Sequence, residues 1–300
     1  MSEFWDQEVI ERKHAEWMAR LPVRLHINEM IGGGVRLWPI EWFESWLQGR
    51  TFERALSVGC GAGVLEPQLI ERGLCKRVDA FDASVASLAI ARDAARGIGG
   101  IRYFAADFNR CALPRDTYDV VFFHQSAHHV RRLERLFMQI LRALKPNGIV
   151  YLDEYVGPSR FEWNAERIGP QQAFFSSLPR EIRRTDRLPF PIQQDDPTEA
   201  IRSSAIEPAL RIGFNTVARR PYGGTLLSIV LPQLKSADET LPYCIGCERA
   251  LLAAGMPSYY AVIVATPKRR ARKAAALMHY AAVRLWMRLN AEWDRVRARR

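Results

Sequence analysis

Residues 55–63 read ALSVGCGAG, a short apolar run followed at once by glycines at every second position. The apolar part, 55–58, has the length and composition of a buried strand, and residues 64–72 have helical spacing. Glycines between a strand and a helix let the backbone turn sharply and let a ligand lie against bare main chain. A bare glycine-rich connection is the alternative, so this stretch alone leaves both interpretations open.

The chain on either side of this turn alternates between strand-like and helical segments. Further strands are predicted at 77–81, 101–105, 118–123, 149–152, 214–219 and 259–265, and further helices at 84–96 and 130–144. Strands that alternate with helices form βαβ crossovers. The prediction is an α/β fold: a Rossmann-like, doubly wound, mostly parallel seven-stranded sheet with a helical insertion and terminal helices. Ligands bind such sheets at the carboxyl ends of the central strands.

Composition divides the chain into regions around this sheet. We predict an aromatic-rich helical cover at 1–50, the sheet domain at 51–267, a Pro-, Trp- and Phe-rich helical insertion at about 157–212, and a basic amphipathic helix at 268–300. No apolar run approaches the roughly 18 residues that a membrane-spanning helix needs.

Acidic side chains follow the second and third predicted strands. Asp82 stands about 20 residues beyond the glycines, where a carboxylate can accept hydrogen bonds from both ribose hydroxyls of a nucleotide. Asp107 follows the third strand, where it can accept from an adenine amino group while Phe108 packs on the base. Each acid alone could equally be a helix cap or a loop residue. Together, at successive strand ends, they favour a nucleotide-containing ligand.

The glycine spacing argues against a nicotinamide dinucleotide. A dinucleotide turn has G-x-G-x-x-G spacing, in which the third glycine lets the helix pack closely on the strand. Val64 occupies that third position here. A pyrophosphate site is therefore disfavoured.

Several segments, taken in order, resemble the successive motifs of the class I S-adenosylmethionine-dependent methyltransferases, of a bacterial small-molecule or glycan-associated type. The matching segments are 59–63, Asp82, 106–107, 118–123 and 141–148. The resemblance implies S-adenosylmethionine as the cofactor, held by residues at successive strand ends: Gly59, Cys60, Gly61 and Gly63 for the methionine part, Asp82 and Ala83 for the ribose, Asp107 and Phe108 for adenine, and His124 beneath the sulfonium.

A hydroxyl acceptor needs a base, and histidines are concentrated at the end of the fourth predicted strand. His124, His128 and His129 are three of the six histidines in the chain. Histidine titrates near neutrality, as a general base should. Glu154, at the end of the fifth strand, is a further candidate, either as base or as the group that orients a histidine. The alternative is that these imidazoles cap the next helix or pack in the core.

The five cysteines suggest neither a disulfide framework nor a metal site. Cys244 and Cys247 form one C-x-x-C pair, whereas a structural zinc site needs a second pair or histidines at defined spacing. We predict no metal and interpret the pair as two buried thiols. The odd cysteine count and the absence of a leader pattern at 1–20 lead us to expect a cytoplasmic protein.

Positive charge is concentrated at the C-terminal end. Residues 268–300 hold eleven Lys or Arg against two acids, so they carry nearly all of the net charge of +10. Apolar and basic side chains form opposite stripes along this segment. The pattern fits an anionic membrane surface at the inner membrane face, a partner helix, or a solvated helix on its own domain. Nucleic acid is disfavoured, because no basic groove interleaved with aromatic residues accompanies the segment.

The function expected from these features is transfer of a methyl group from S-adenosylmethionine to a small molecule, a sugar or a lipid-linked glycan, at oxygen. Three alternatives stay open. They are an RNA methyltransferase that uses the basic tail, an NAD(P)-dependent oxidoreductase, and a methyltransferase-like binding module without turnover.

Overall fold

The computed structural model describes residues 17–235 and 239–269, and it is organised around one seven-stranded sheet. The strands run in the spatial order β3-β2-β1-β4-β5-β7-β6. Their bounds are β1 Ala55–Val58, β2 Val78–Asp82, β3 Ile101–Ala105, β4 Tyr118–His124, β5 Leu144–Tyr155, β6 Phe214–Pro221 and β7 Tyr260–Pro267. All seven predicted strands are present, and the predicted Rossmann-like class is confirmed.

All strands except β7 run in the same direction. Strand β7 is antiparallel to both β5 and β6. Strands β2 and β3 extend the sheet on one side of β1, whereas β4 and β5 extend it on the other. The strand order therefore reverses between β1 and β4, which creates the crevice where ligands bind in open α/β sheets. The register between β4 and β5 sets His124 opposite Asp153 at this edge.

Helices cover both faces of the sheet. Their bounds are α1 Leu21–Gly32, α2 Pro39–Leu47, α3 Leu65–Glu71, α4 Val85–Ala94, α5 Leu133–Ala143, α6 Gly169–Ser177, α7 Ile206–Gly213, α8 Leu227–Val230 and α9 Leu241–Ala253. Helix α5 shows why they form. Its apolar residues recur three and four apart and are buried against the sheet, and among them Phe137 packs edge-on against Phe123 and Phe214.

The predicted insertion is shorter and less helical than expected. Within 157–212 the sheet face is covered by a mainly irregular segment with a single nine-residue helix, α6. Helix α7, which the prediction included in the insertion, instead packs beside α5 and leads into β6. Its buried side chains, Ile206, Ala209 and Leu210, belong to the apolar cluster of that face of the sheet. The covering segment therefore ends near 205.

A second covering segment lies between β6 and β7. Residues 222–259, where described, include α8 and α9 and pack against α1 and a short helical turn at Trp17–Ala19. Arg249 on α9 joins the two elements, because its side chain donates to Nδ1 of His26 and contacts Glu29 on α1. The helical cover predicted at 1–50 is thus seen from Trp17 onward, joined to a part of the chain more than 200 residues later.

The sheet domain ends where the basic segment begins. Strand β7 ends at Pro267, and the main-chain N–H of Lys268 donates to the carbonyl oxygen of Gly213 at 3.0 Å. The amphipathic helix predicted at 268–300 lies outside the described residues from 270 onward, as does the predicted cover from 1 to 16. Within the described residues, no helix has both the length and the apolar composition needed to cross a bilayer.

Candidate functional site

The glycine turn after β1 is held against the turn that follows β4. Gly59 has φ +67°, and a side chain built there would meet Cβ of Ser126 at 2.7 Å. The Ser126 hydroxyl in turn donates to the carbonyl oxygen of Val58 at 2.6 Å. Gly61, with φ +52°, has no atom within 4 Å of a built Cβ. The turn is therefore closed on the side of β4 and open at Gly61, as a main-chain cradle for a ligand requires.

Asp82 fixes the open part of this turn. One of its carboxylate oxygens accepts from the main-chain N–H of Gly61 at 2.9 Å, and the other accepts from Ser84 at 2.8 Å. Each oxygen keeps a second lone pair, because an ionised carboxylate has about four acceptor sites. Asp82 can therefore hold the turn and still accept from two vicinal hydroxyls. Ala83, beside it, is exposed at the same edge.

Asp107 and Phe108 complete the row of strand ends. The Asp107 carboxylate accepts from the N–H of Asn109 at 2.7 Å and so caps its own turn, while 41% of its side chain is exposed. Phe108 lies over the glycine turn, with its ring edge 3.7 Å from a Cβ built on Gly59. The site thus has an aromatic face directly beside the cradle.

Gly63 and Cys60 differ from what the resemblance implied for them. Gly63 is buried, and a Cβ there would lie 2.7 Å from Cβ of Ala91 on α4. Its lack of a side chain is explained by helix packing, not by contact with a ligand. The Cys60 thiol points back toward the carbonyl oxygen of Gly61 at 3.9 Å, and burial raises its pKa strongly. Cys60 therefore stays a protonated thiol and offers a ligand only its main chain.

A buried carboxyl group lies beneath the turn. Glu66, on the first turn of α3, is 1% exposed, and its charge acts on Asp82, Cys60 and His124. Burial raises the pKa of Glu66, and the Ser57 hydroxyl opposes that change. This residue has no counterpart in the sequence predictions, because a lone Glu near the start of a helix is usually a solvated one.

His124 is the histidine that faces open space. Its side chain is 41% exposed, and Nδ1 lies 3.3 Å from a carboxylate oxygen of Asp153. The other oxygen of Asp153 accepts from the Tyr222 hydroxyl at 2.5 Å. Burial lowers the pKa of His124, but the Asp153 carboxylate, together with Glu66 and Glu154, outweighs it and leaves that pKa raised. The arrangement is a histidine oriented by a buried, hydrogen-bonded acid.

Gln125 holds the backbone of this turn in an uncommon conformation. Its φ is +50°, in the left-handed region that residues with a side chain adopt at an energetic cost. The side-chain amide donates to Tyr222 Oη at 3.1 Å, and the main-chain N–H donates to the carbonyl oxygen of Asp153 at 2.9 Å. These contacts stabilise the strained turn and direct the His124 ring toward the edge of the sheet.

Glu154 acts as a positioning group in this structure. It is completely buried, and one carboxylate oxygen accepts from the main-chain N–H groups of Ser126 and Ala127 at 2.6 and 2.5 Å. The other oxygen lies 2.8 Å from Nδ1 of His128. Both oxygens are therefore engaged, one by main-chain N–H groups and the other by His128. Of the two roles expected for Glu154, the geometry favours the orientation of a histidine.

His128 and His129 lie deeper than His124, on the short helical turn Ala127–His129. Both are buried, and Nδ1 of His129 lies 3.1 Å from the hydroxyl of Thr198 in the covering segment. His128 borders the large cavity described below, whereas His129 lies behind it. The three predicted histidines therefore belong to one turn, but they face different surroundings.

A cavity of about 960 Å³ opens beside His124. The sheet edge, the helices at 17–40 and both covering segments line it. Nine of the lining side chains are Trp, Tyr or Phe: Trp17, Trp38, Tyr151, Tyr155, Trp163, Phe190, Tyr222, Tyr259 and Tyr260. Two arginines, Arg20 and Arg24, also border it. Its volume is at the upper end of the usual range for small-molecule sites.

Asp153 and Tyr222, like Glu66, are site residues that the sequence analysis missed. Asp153 directly precedes Glu154 on β5, and a search for adjacent acids along this strand would have found Asp153. Because side chains alternate along a strand, the two acids point to opposite faces of the sheet. Tyr222 lies 97 residues beyond Gln125, and nothing local predicts that it reaches the site. The buried C-x-x-C interpretation also needs revision, since Cys244 is buried but Cys247 is partly exposed.

Comparison with known proteins places the first five strands in a described family. Residues 56–152 match the model of a methyltransferase domain. An arginine-hydroxylase, NDUFAF5, of Rattus norvegicus mitochondria is 28% identical over 163 residues, which are 53% of this chain and 44% of that protein. The C-methyltransferase UbiE of ubiquinone and menaquinone biosynthesis from Azotobacter vinelandii is 31% identical over 139 residues, 44% of this chain and 54% of that protein.

Solved structures resemble the chain only distantly. A Mesorhizobium loti S-adenosylmethionine-dependent methyltransferase is 21% identical, with a TM-score of 0.46 over 75% of this chain and 96% of that one. The YcgJ protein of Bacillus subtilis is 15% identical, with a TM-score of 0.47 over 77% and 98% of the two chains. The chain spans about half the length of the sequence relatives it matches. Residues 56–152, which contain the glycine turn and the acids at the next two strand ends, therefore form a methyltransferase domain, as the resemblance to the class I S-adenosylmethionine-dependent methyltransferases implied.

Proposed function

We propose that the protein transfers a methyl group from S-adenosylmethionine to an oxygen atom of a small acceptor held in the aromatic cavity, with His124 as the general base. The observation that carries this proposal is the His124–Asp153 contact, where the sheet edge meets the cavity. The same edge continues from His124 through Ser126 to the glycine turn. A base and a cofactor cradle therefore adjoin one space large enough for an acceptor.

The residues present fit S-adenosylmethionine. Gly61 leaves the main chain bare, Gly59 lets the turn pack against Ser126, and Asp82 keeps lone pairs for two ribose hydroxyls. Phe108 offers a ring for adenine, with Asp107 beside it. The carboxylates of Asp82 and Asp153 make this edge acidic, which suits a ligand with a positively charged sulfur. When bound, the cofactor supplies an electrophilic methyl group.

His124 has the surroundings of a general base. Because Nδ1 faces Asp153, Nε2 on the opposite edge of the ring is the nitrogen that can take a proton from an acceptor hydroxyl. Asp153 keeps the ring oriented and stabilises the imidazolium that forms, and Tyr222 keeps Asp153 in place. Since methyl transfer is an in-line displacement, positioning of the acceptor in the cavity supplies much of the remaining rate.

The lining of the cavity supports a ring-containing acceptor. Tyrosine and tryptophan rings pack on aromatic and sugar rings alike and offer hydrogen bonds at their polar edges. A small molecule, a sugar or a lipid-linked glycan therefore stays the acceptor class. The relatives named for quinone biosynthesis and for arginine hydroxylation differ from each other in reaction, so their names do not decide it.

Transfer of a labelled methyl group tests the proposal. The purified protein would be incubated with S-adenosylmethionine labelled with ¹³C at the methyl group and with a panel of phenols, catechols and sugars. We expect new methyl ether signals in the NMR spectrum, reduced about 100-fold or more by His124→Gln. Exclusive transfer to carbon or nitrogen would refute the oxygen assignment, and an unaffected His124→Gln variant would refute the base.

We also propose, from charge alone, that 268–300 brings the enzyme to an anionic surface at the inner membrane face. Eleven basic residues in one terminal segment supply the attraction, and each adds on the order of 1 kcal/mol near acidic lipid. A partner helix would bind the same basic and apolar stripes of 268–300.

A further inference from the structure

We propose that His128, His129 and Glu199 bind a divalent transition-metal ion, of the kind represented by Zn²⁺, in the wall of the aromatic cavity. The potential ligand atoms of these three side chains all lie within 4.8 Å of one another. Two of the residues come from the turn after β4 and the third comes from the covering segment before α7. The cluster is distinct from the proposed base His124 and from the cofactor cradle.

The distances within the cluster suit a shared ion. Nε2 of His128 lies 3.8 Å from one oxygen of Glu199, and Nε2 of His129 lies 3.7 Å from the other. These separations are too long for N–H···O hydrogen bonds. Two ligand atoms at about 2.1 Å from a tetrahedral ion stand about 3.4 Å apart. A small inward movement of the Glu199 side chain would place an ion between the three groups.

The other nitrogen of each ring is already oriented, as in metal-binding histidines. Nδ1 of His128 faces Glu154 at 2.8 Å, and Glu154 accepts main-chain N–H groups on its second oxygen, so His128 donates from Nδ1. The Thr198 hydroxyl donates to Asp196 at 2.6 Å and therefore accepts from Nδ1 of His129. In both rings Nε2 is then the nitrogen that carries the lone pair in the neutral form. A carboxylate or hydroxyl on the far nitrogen is the usual arrangement around metal-bound imidazoles.

The local charge favours a cation. Glu154, Asp196 and Glu199 surround the two rings, and Asp196 is 3% exposed on its side chain. One of the Asp196 oxygens makes no hydrogen bond and lies 3.5 Å from Nδ1 of His129. Arg160 donates to the main-chain oxygens of Asp196 and Gln193 rather than to these carboxylates. A divalent ion would balance the surplus negative charge of this buried group.

The covering segment is anchored so that Glu199 stays near the rings. The main-chain N–H of Ile201 donates to the carbonyl oxygen of His128 at 3.1 Å, and that of Arg160 donates to the carbonyl oxygen of Ala200 at 2.8 Å. The two residues that follow Glu199 are thereby fixed to the rest of the site. Preorganisation of this kind is what a metal site needs from its protein.

The ligand set indicates which ions fit and where a fourth ligand would bind. Two imidazoles and one carboxylate suit Zn²⁺, and such three-residue sets leave a coordination position open for water or substrate. His128 and Glu199 line the cavity while His129 lies behind them, so the open position would face the cavity. An oxygen of the acceptor could bind there. That last role rests on the proposed methyl transfer, whereas the metal site itself does not.

Metal binding by the full-length protein tests the proposal directly. The protein, without an affinity tag, would be freed of metal with a chelator, titrated with Zn²⁺ by calorimetry, and assayed for retained zinc after desalting. We expect one Zn²⁺ per chain. Glu199→Gln keeps the shape of the side chain but removes its charge, and we expect it to weaken binding at least about tenfold. His129→Gln should weaken binding similarly, and its side-chain amide can still donate to the Thr198 hydroxyl.

Cys247→Ser is the matched control, because a partly exposed thiol is the main competing kind of zinc ligand. We expect this variant to bind like wild type. The spectrum of the Co²⁺-loaded protein should lack a thiolate charge-transfer band, and near-UV circular dichroism should show that each variant is folded. The proposal would be overturned if wild type retains no zinc, if folded Glu199→Gln and His129→Gln bind as tightly as wild type, or if Cys247→Ser alone abolishes binding. Each of these results can be obtained whether or not methyl transfer is detected.

Discussion

At the scale of single residues, opposing effects on the pKa of His124 set the chemistry of the site. Burial alone would lower its pKa below 6.5, but the adjacent Asp153, with Glu66 and Glu154, makes the net pKa higher than that value. A higher pKa makes a stronger base and also leaves more of the base protonated at neutral pH. The Asp153 carboxylate therefore makes His124 a stronger base, and it also raises the pH above which His124 is mostly neutral and able to accept a proton.

This balance predicts the pH dependence of methyl transfer. Because only neutral His124 can accept a proton, kcat/KM should rise with pH, with a midpoint above 6.5. Asp153→Asn removes the charge that raises the pKa, so the midpoint should move to lower pH while the maximal rate falls. Rates measured from pH 5 to 9 on both proteins check this. A midpoint that does not move in Asp153→Asn would show that another group titrates.

Glycines with the same backbone conformation have different roles at the scale of elements. Gly61 and Gly63 both have positive φ, but only at Gly63 would a side chain collide with helix α4. Gly63→Ala should therefore lower the free energy of unfolding by about 1–3 kcal/mol more than Gly61→Ala does, since collision is added to strain. Urea unfolding of both variants is the measurement. Equal losses would mean that α4 moves away at little cost.

The contact between α1 and α9 should make the protein sensitive to acid. Burial, with the neighbouring Arg249 charge, lowers the pKa of His26 from 6.5 to about 4, against a smaller opposing effect of Glu29. Between these pH values the unfolded chain binds a proton that the folded chain does not, so stability should fall as pH falls through this window. Below about pH 4 both states are protonated and this group causes no further loss.

Urea midpoints measured from pH 7 to 4 check this effect of His26. His26→Gln removes the titrating group, while its side-chain oxygen can still accept from Arg249. The variant should therefore lose less stability than wild type over the same interval. An equal decline in the two proteins would assign the acid sensitivity to other residues.

Local patterns predicted the elements but not the contacts that bring the site together. Strand and helix positions follow from apolar periodicity, and the strand-end acids follow from the parallel order. The contact of Asp153 with Tyr222 joins residues 69 positions apart, and Glu199 reaches His128 from a segment with no regular periodicity. Helix α7 falls within the predicted insertion because that prediction rests on Pro, Trp and Phe composition, which does not show that α7 packs beside α5.

At the scale of the whole molecule, the charge lies apart from the chemistry. The sheet closes at Pro267, while nearly all of the net positive charge follows it. A chain truncated after Arg269 keeps the contact of Lys268 with Gly213. We expect this truncation to leave S-adenosylhomocysteine affinity within about twofold and to reduce sedimentation with anionic liposomes. Binding of the full-length protein to anionic liposomes should also weaken as salt is raised, since electrostatic attraction is screened within about 8 Å at physiological ionic strength.

Neutral liposomes serve as the control for the truncation, because they keep apolar insertion but lack the anionic headgroups. If the full-length protein ignores anionic liposomes even at low salt, the membrane proposal is wrong, and a partner helix becomes the occupant to seek. If truncation unfolds the protein, the segment belongs to the core.

Calorimetric titration with S-adenosylhomocysteine tests the central claim, that the edge formed by the glycine turn and Asp82 binds this cofactor. We expect one site per chain in the wild-type protein and no binding of NADH. Asp82→Ala removes a charged acceptor and a support of Gly61, so affinity should fall by about 1.5–3 kcal/mol, roughly 10- to 150-fold. Asp93→Ala, at an exposed acid paired with Arg96, should bind like wild type. No binding of S-adenosylhomocysteine by the folded wild-type protein, or equal affinity in Asp82→Ala, would contradict the account.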